Sequence, residues 1–127
     1  MHRKLRLQLL EGKYAICRLN GRAPVPAWAE GEGLVAISRS DDELSVLCRA
    51  DRVPEDTQAD FDWICLKLVG PFDLHETGIA LSVVQPLAEG GIGVFLVSSY
   101  DGAHLLIKDS DLLHAQMLLQ NAGHIVD

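Results

Sequence analysis

No stretch of this 127-residue chain approaches the roughly 20 consecutive apolar residues of a membrane-spanning helix, so none is expected to cross a bilayer. Positive charge is scarce as well. Lys and Arg number 11 against 18 Asp and Glu, a formal net charge of -7, whereas the phosphates of a nucleic acid call for a basic surface. The nearest approach to a basic patch, Arg3, Lys4 and Arg6, alternates with Leu5 and Leu7 as the solvated face of a strand does. Cysteine is sparse and odd in number. Cys17, Cys48 and Cys65 lie far apart, each inside an expected strand, which fits buried free thiols better than a disulfide or a metal site. No secretory leader is expected from this start, because the apolar run after Lys4 is broken by Arg6 and Gln8 and continues into Glu11. The expected compartment is the cytoplasm.

Catalytic signatures are equally thin. The five histidines, His2, His75, His104, His114 and His124, show no paired ligand spacing on one element, and no cysteine stands near a histidine in a nucleophile motif. Ser98-Ser99 lacks the Gly-x-Ser-x-Gly elbow, and Gly90-Gly91-Ile92-Gly93 lacks the lysine and spacing of a phosphate loop. No enzyme activity, cofactor or metal is expected.

What remains is an ordinary globular composition, 48% hydrophobic and 23% charged, at the length of about one domain. Its second half is well punctuated. Trp63–Val69 alternates with the period of two of a strand and stops at Gly70-Pro71. From Thr77 to Glu89, Ile79, Ala80, Val83, Val84, Leu87 and Ala88 recur at helical spacing. Pro86 lies within that helix and withholds the hydrogen bond due to the Ser82 carbonyl. Gly90-Gly91 ends it. Ile92–Ser98 and His104–Lys108 read as strands joined across Ser99-Tyr-Asp-Gly102, with Asp-Gly as a hairpin signal. Asp109 or Ser110 is placed to cap a final helix carrying Leu112, Ala115, Leu119 and Ala122 and closed by Gly123, before a short strand at His124–Val126. The order strand, helix, strand, strand, helix, strand predicts an α+β, ferredoxin-like βαββαβ unit, with two helices on one face of a four-stranded antiparallel sheet.

The runs Gly70-Pro-Phe-Asp-Leu-His-Glu-Thr-Gly-Ile79, Pro86-Leu-Ala-Glu-Gly-Gly-Ile92, Val97-Ser-Ser-Tyr-Asp101 and Ile107-Lys-Asp-Ser-Asp-Leu112 together resemble the ACT domain. The likeness is greatest to the branch in aspartokinase regulatory regions and in small bacterial tandem ACT proteins related to the eukaryotic cytosolic arginine sensor. The first half, with Gly12-Lys-Tyr-Ala-Ile-Cys-Arg-Leu19, Pro24-Val-Pro-Ala-Trp28 and Asp41-Asp-Glu-Leu-Ser-Val46, is similar to the N-terminal half of those bacterial proteins. The resemblance implies a non-catalytic, amino-acid-binding module that commonly dimerises.

The first half itself is expected to hold strands at 4–10, 14–19, 34–39 and 43–48. Pro24–Ala29 allows at most a turn or two of helix, with Pro26 suited to its first position. This predicts a degenerate ferredoxin-like half over residues 1–60 and an ACT domain over 61–127, with the polar segment Arg52–Asp60 as linker.

In such a fold the loop after the first strand of the ACT unit and the hairpin after its second lie at one end of the sheet. That gathers Phe72, Asp73, Glu76, Thr77, Gly78 and Ile79 with Ser98, Ser99, Tyr100 and Asp101 as a candidate ligand site. The helix start offers free backbone donors and the positive end of its dipole to a carboxylate. Glu76 or Asp101 is available for an ammonium, and Gly78 permits close approach to the backbone. The expected partner is an amino acid or similar zwitterion, with a polar or cationic side chain slightly favoured, bound at a subunit or half-to-half interface of a homodimer. The same residues also have plain structural readings: Thr77 as an N-cap, Asp101-Gly102 as a turn, Glu76 as a solvated side chain. With those, the chain is a structural or interaction module whose ligand site has degenerated.

Overall fold

Each strand and helix owes its place to the side chains it buries. The computed structural model describes residues 4–127; His2 and Arg3, named above, lie outside the described residues. The chain forms two compact units, one of Glu11–Trp63 and one combining residues 4–10 with Ile64–Asp127. Strand β5 (Ala59–Leu68) supplies its first residues to the former and its last to the latter. The polar segment read as a linker therefore ends in strand at Ala59-Asp60. The opening strand β1 (Arg6–Leu9), assigned from sequence to the N-terminal half, belongs with the C-terminal unit.

In the Glu11–Trp63 unit, β2 (Tyr14–Asn20), β3 (Ala36–Arg39), β4 (Glu43–Arg49) and the start of β5 lie in the order β3-β4-β2-β5. A single turn of 3-10 helix at Ala27–Ala29 stands between β2 and β3, and another at Ala50–Arg52 between β4 and β5. The order and connections are those of a ferredoxin-like unit whose helices have shrunk to turns. Pro24 and Pro26 explain the first turn, since Pro26 precedes it in extended conformation and a longer helix would lack the proline N–H groups. Alternation does the packing: Ala15 and Cys17 on β2 meet Leu44, Val46 and Cys48 on β4, with Ala29 beneath.

In the other unit β1 pairs antiparallel with β5 through Leu7↔Leu68 and Leu9↔Leu66, and parallel with the last strand β8 (Ile125–Val126). The sheet runs β6-β7-β5-β1-β8, with β6 (Phe95–Ser98) and β7 (Ala103–Lys108) as a hairpin. The ferredoxin-like class stands, but the expected four-stranded antiparallel sheet is corrected. Strand β1 occupies the place beside β5 where the fourth strand was expected, and its Leu5 and Leu7 complete the core. Ile64, Leu66 and Leu68 of β5 and Leu105 and Ile107 of β7 face helices α1 (Ile79–Glu89) and α2 (Leu112–Asn121), which bring Val83, Leu87, Ala115 and Leu119. Each such aliphatic side chain contributes about 1.5–3 kcal/mol when fully buried.

The helix ends depart from expectation by a few residues. Helix α1 begins at Ile79, with Gly78 rather than Thr77 at the cap in left-handed conformation (φ 82°). A 3-10 turn, Asp109–Asp111, precedes α2, so neither Asp109 nor Ser110 is its cap residue. Both helices close with paired backbone bonds around a left-handed glycine: Gly91 N–H to Ala88 and Ile92 N–H to Leu87 for α1, Gly123 N–H to Gln120 and His124 N–H to Leu119 for α2. Ile92 is thereby held in the cap and the core, which is why strand β6 starts only at Phe95.

Candidate functional site

The loop between β5 and α1 is tied to itself and to the β6–β7 hairpin. Asp73 Oδ1 accepts the His75 N–H at 2.8 Å, the Asp73 carbonyl accepts the Glu76 N–H at 3.0 Å, and Glu76 Oε1 accepts the Asp73 N–H at 3.4 Å. One step earlier, the Phe72 N–H donates to the Asp101 carbonyl at 2.7 Å, fastening the loop to the hairpin. The hairpin closes through the Ser99 N–H to the Gly102 carbonyl at 2.9 Å, and neither Asp101 nor Gly102 has a positive φ, so this is not the tight Asp-Gly turn that the dipeptide suggests.

Between loop, helix start and hairpin lies a cavity of about 350 Å³. Of the ten residues proposed from sequence, Phe72, Asp73, Glu76, Gly78, Ile79, Ser98, Ser99 and Tyr100 line it, and Thr77 and Asp101 do not. Its wall also includes Leu74, Ala80, Leu81, Gly102 and Ala103, which sequence reasoning did not assign. Leu81 carried a signal: it falls off the helix's apolar stripe and is 60% exposed. A Cβ built on Gly78 would meet nothing within 4 Å, so its left-handed φ is what calls for glycine, and the space beside it is open.

The electrostatics of the cavity are two-sided. At the start of α1 the first backbone N–H groups have no helical acceptor, because the first such bond is Ser82 N–H to Gly78. Their dipole end favours an anion. The loop side carries the Asp73 and Glu76 carboxylates, and no Lys or Arg stands among the lining residues. Asp101 lies instead in a neighbouring cavity of about 390 Å³ with Lys67 and His104.

Burial pushes the Cys17 thiol up to about 11 and the Cys65 thiol up to about 12, and raises Cys48 as well. All three are free and buried. Among the described residues no three His, Cys, Asp or Glu side chains gather as a metal site, and no helix is long and apolar enough to cross a membrane.

The family model of the ACT domain matches residues 58–121, half of the chain. The chain belongs to the ACT-domain family. A second model, describing an N-terminal domain, matches residues 12–56. The crystal structure of protein Atu0741 from Agobacterium tumefaciens is similar along nearly the whole ACT protein, with 49% identity, a TM-score of 0.94, and 98% of this chain and 93% of that one covered. VC0802 from Vibrio cholerae, a protein of unknown function described as a possible transport protein, is 18% identical with a TM-score of 0.75 over 94% of this chain and 90% of that one. The ligand-free regulatory subunit of aspartate kinase from Thermus thermophilus shares the fold at 14% identity and a TM-score of 0.63, over 92% of this chain and 97% of that one. No curated protein matches the sequence.

Proposed function

We propose that this ACT protein is a non-catalytic sensor that binds an amino acid or similar zwitterion between the Phe72–Ile79 segment and the Ser98–Tyr100 segment. The observation carrying this reading is the pairing, around one 350 Å³ cavity, of a helix start with unused N–H donors and a loop bearing two carboxylates. The ligand's carboxylate sits at the helix start and its ammonium meets Glu76 or Asp73. The dipole term of about 0.3–1 kcal/mol orients such a ligand more than it holds it. The absence of a cation in the lining favours a polar or cationic side chain. Binding biases a homodimer or a downstream partner rather than driving a reaction. Three buried free thiols suit the reducing cytoplasm.

A second reading, an interaction module without a ligand, draws on the exposed Leu81, Leu113 and Met117 of the two helices. Calorimetric and thermal-shift titration with the twenty amino acids separates the two. One amino acid is expected to stabilise the fold by about 2.7 kcal/mol at 100 times its dissociation constant. Glu76→Gln, which keeps an oxygen for the Asp73 N–H but removes the charge, should weaken it about tenfold. A folded oligomer indifferent to all twenty would favour the interaction module.

A further inference from the structure

The neighbouring cavity differs from the first in its charges. Along β5, Ile64, Leu66 and Leu68 turn into the helix-covered core, which puts Lys67 on the opposite face. Along β7, Ala103, Leu105 and Ile107 turn inward, which puts His104 on that same opposite face. Together with Val69, Gly70, Pro71 and Asp101 they line the 390 Å³ space. Burial first, and then the exposed Lys67 ammonium, hold the His104 imidazole below its ordinary range. The lining thus sets a lysine ammonium, Lys67, and a carboxylate, Asp101, around one space beside Val69 and Pro71.

The partition between the two cavities is thin and well defined. Ser99, Gly102 and Ala103 belong to both walls. Between them runs the hydrogen bond from Phe72 N–H to the Asp101 carbonyl, packed so closely on Gly70 that a Cβ there would stand 2.9 Å from the Phe72 nitrogen and 3.0 Å from the Asp101 oxygen.

We infer that the Lys67–Asp101 cavity is a second small-molecule site, for an amino acid with a small apolar side chain, on the other side of the hairpin from the site proposed above. Lys67 receives the carboxylate, Asp101 receives the ammonium, and Val69 with Pro71 takes the side chain. This goes beyond the first site and does not depend on what occupies it.

The test is titration of the whole chain with L-valine, isovalerate, which lacks the amino group, and isobutylamine, which lacks the carboxylate, followed by backbone-amide NMR and calorimetry. L-Valine is expected to move the amide signals of Lys67–Val69 and Asp101–His104, and each one-poled analogue to bind about tenfold more weakly, the loss of one charge-assisted hydrogen bond. Lys67→Met and Asp101→Asn should each cost a similar factor. No valine response would overturn the inference, as would a response confined to Phe72–Leu81 or one that Lys67→Met leaves intact. The second of these outcomes would leave the first site standing.

Discussion

His124 Nδ1 accepts the Leu5 N–H at 3.0 Å, and Nε2 lies 2.8 Å from the Ser82 carbonyl. Since Nδ1 is the acceptor, Nε2 carries the proton and donates it to Ser82. That carbonyl is the one Pro86 leaves without its helical donor, so a side chain from beyond α2 repairs a gap that a proline opens in α1. Replacing His124 with Leu strands two buried backbone groups and should cost about 3 kcal/mol in urea unfolding. In that background Pro86→Ala gives Ser82 an N–H again and should recover about 1 kcal/mol, whereas in the parent the same change competes with His124; a double-mutant cycle would read this coupling. His104 has the opposite character, with its Nδ1 buried and without a hydrogen-bond partner among the described residues. Its folded pKa is lowered from 6.5, so below that value the unfolded chain binds the extra proton and stability falls with pH until the lowered folded value is passed. His104→Gln should flatten this part of the pH–stability profile relative to the parent.

At the scale of elements, the helices and their C-terminal ends were readable, since Ile79, Val83 and Leu87 keep helical spacing and Gly91 and Gly123 stop the two helices where a left-handed residue is needed, whereas their first residues were displaced by the Gly78 cap and the Asp109–Asp111 turn. The first shrunken helix of the N-terminal unit was readable from Pro24 and Pro26, while the second, Ala50–Arg52, was not, because it falls where the polar linker was expected to begin. The meeting of the Phe72–Ile79 segment with the hairpin followed from element order alone. The side on which Asp101 falls did not, because it depends on the Ser98↔Ala103 register and on a four-residue loop without positive φ, neither of which the Asp-Gly pair reveals. The place of β1 was hidden for a different reason: alternation marks a strand but does not name its neighbours. Gly70→Ala tests the joint between loop and hairpin. Its Cβ would press on backbone rather than on a flexible side chain, and loss of the Phe72–Asp101 bond should lower the thermal midpoint and broaden the amide signals of Phe72 and Ser99–Gly102.

For the whole molecule, residues 61–127 contain the full βαββαβ order but not β1. Leu5 and Leu7, 5% and 0% exposed, would be missing from the core, a loss of about 3–6 kcal/mol set against the 5–15 kcal/mol by which domains are usually stable. Such a fragment should show no cooperative thermal transition and the whole chain should show one; a sharp transition in the fragment would mean that β8 can close directly on β5. The pairing of β1 with β8 also has a consequence for biosynthesis. His124 is made 119 positions after Leu5, yet the Leu5 N–H donates a hydrogen bond to it. Until residues 124–126 are made and free to pair, β1 keeps an unpaired edge, so the nascent sheet is open to chaperones or to misplaced strands while the residues between β1 and β8 are synthesised.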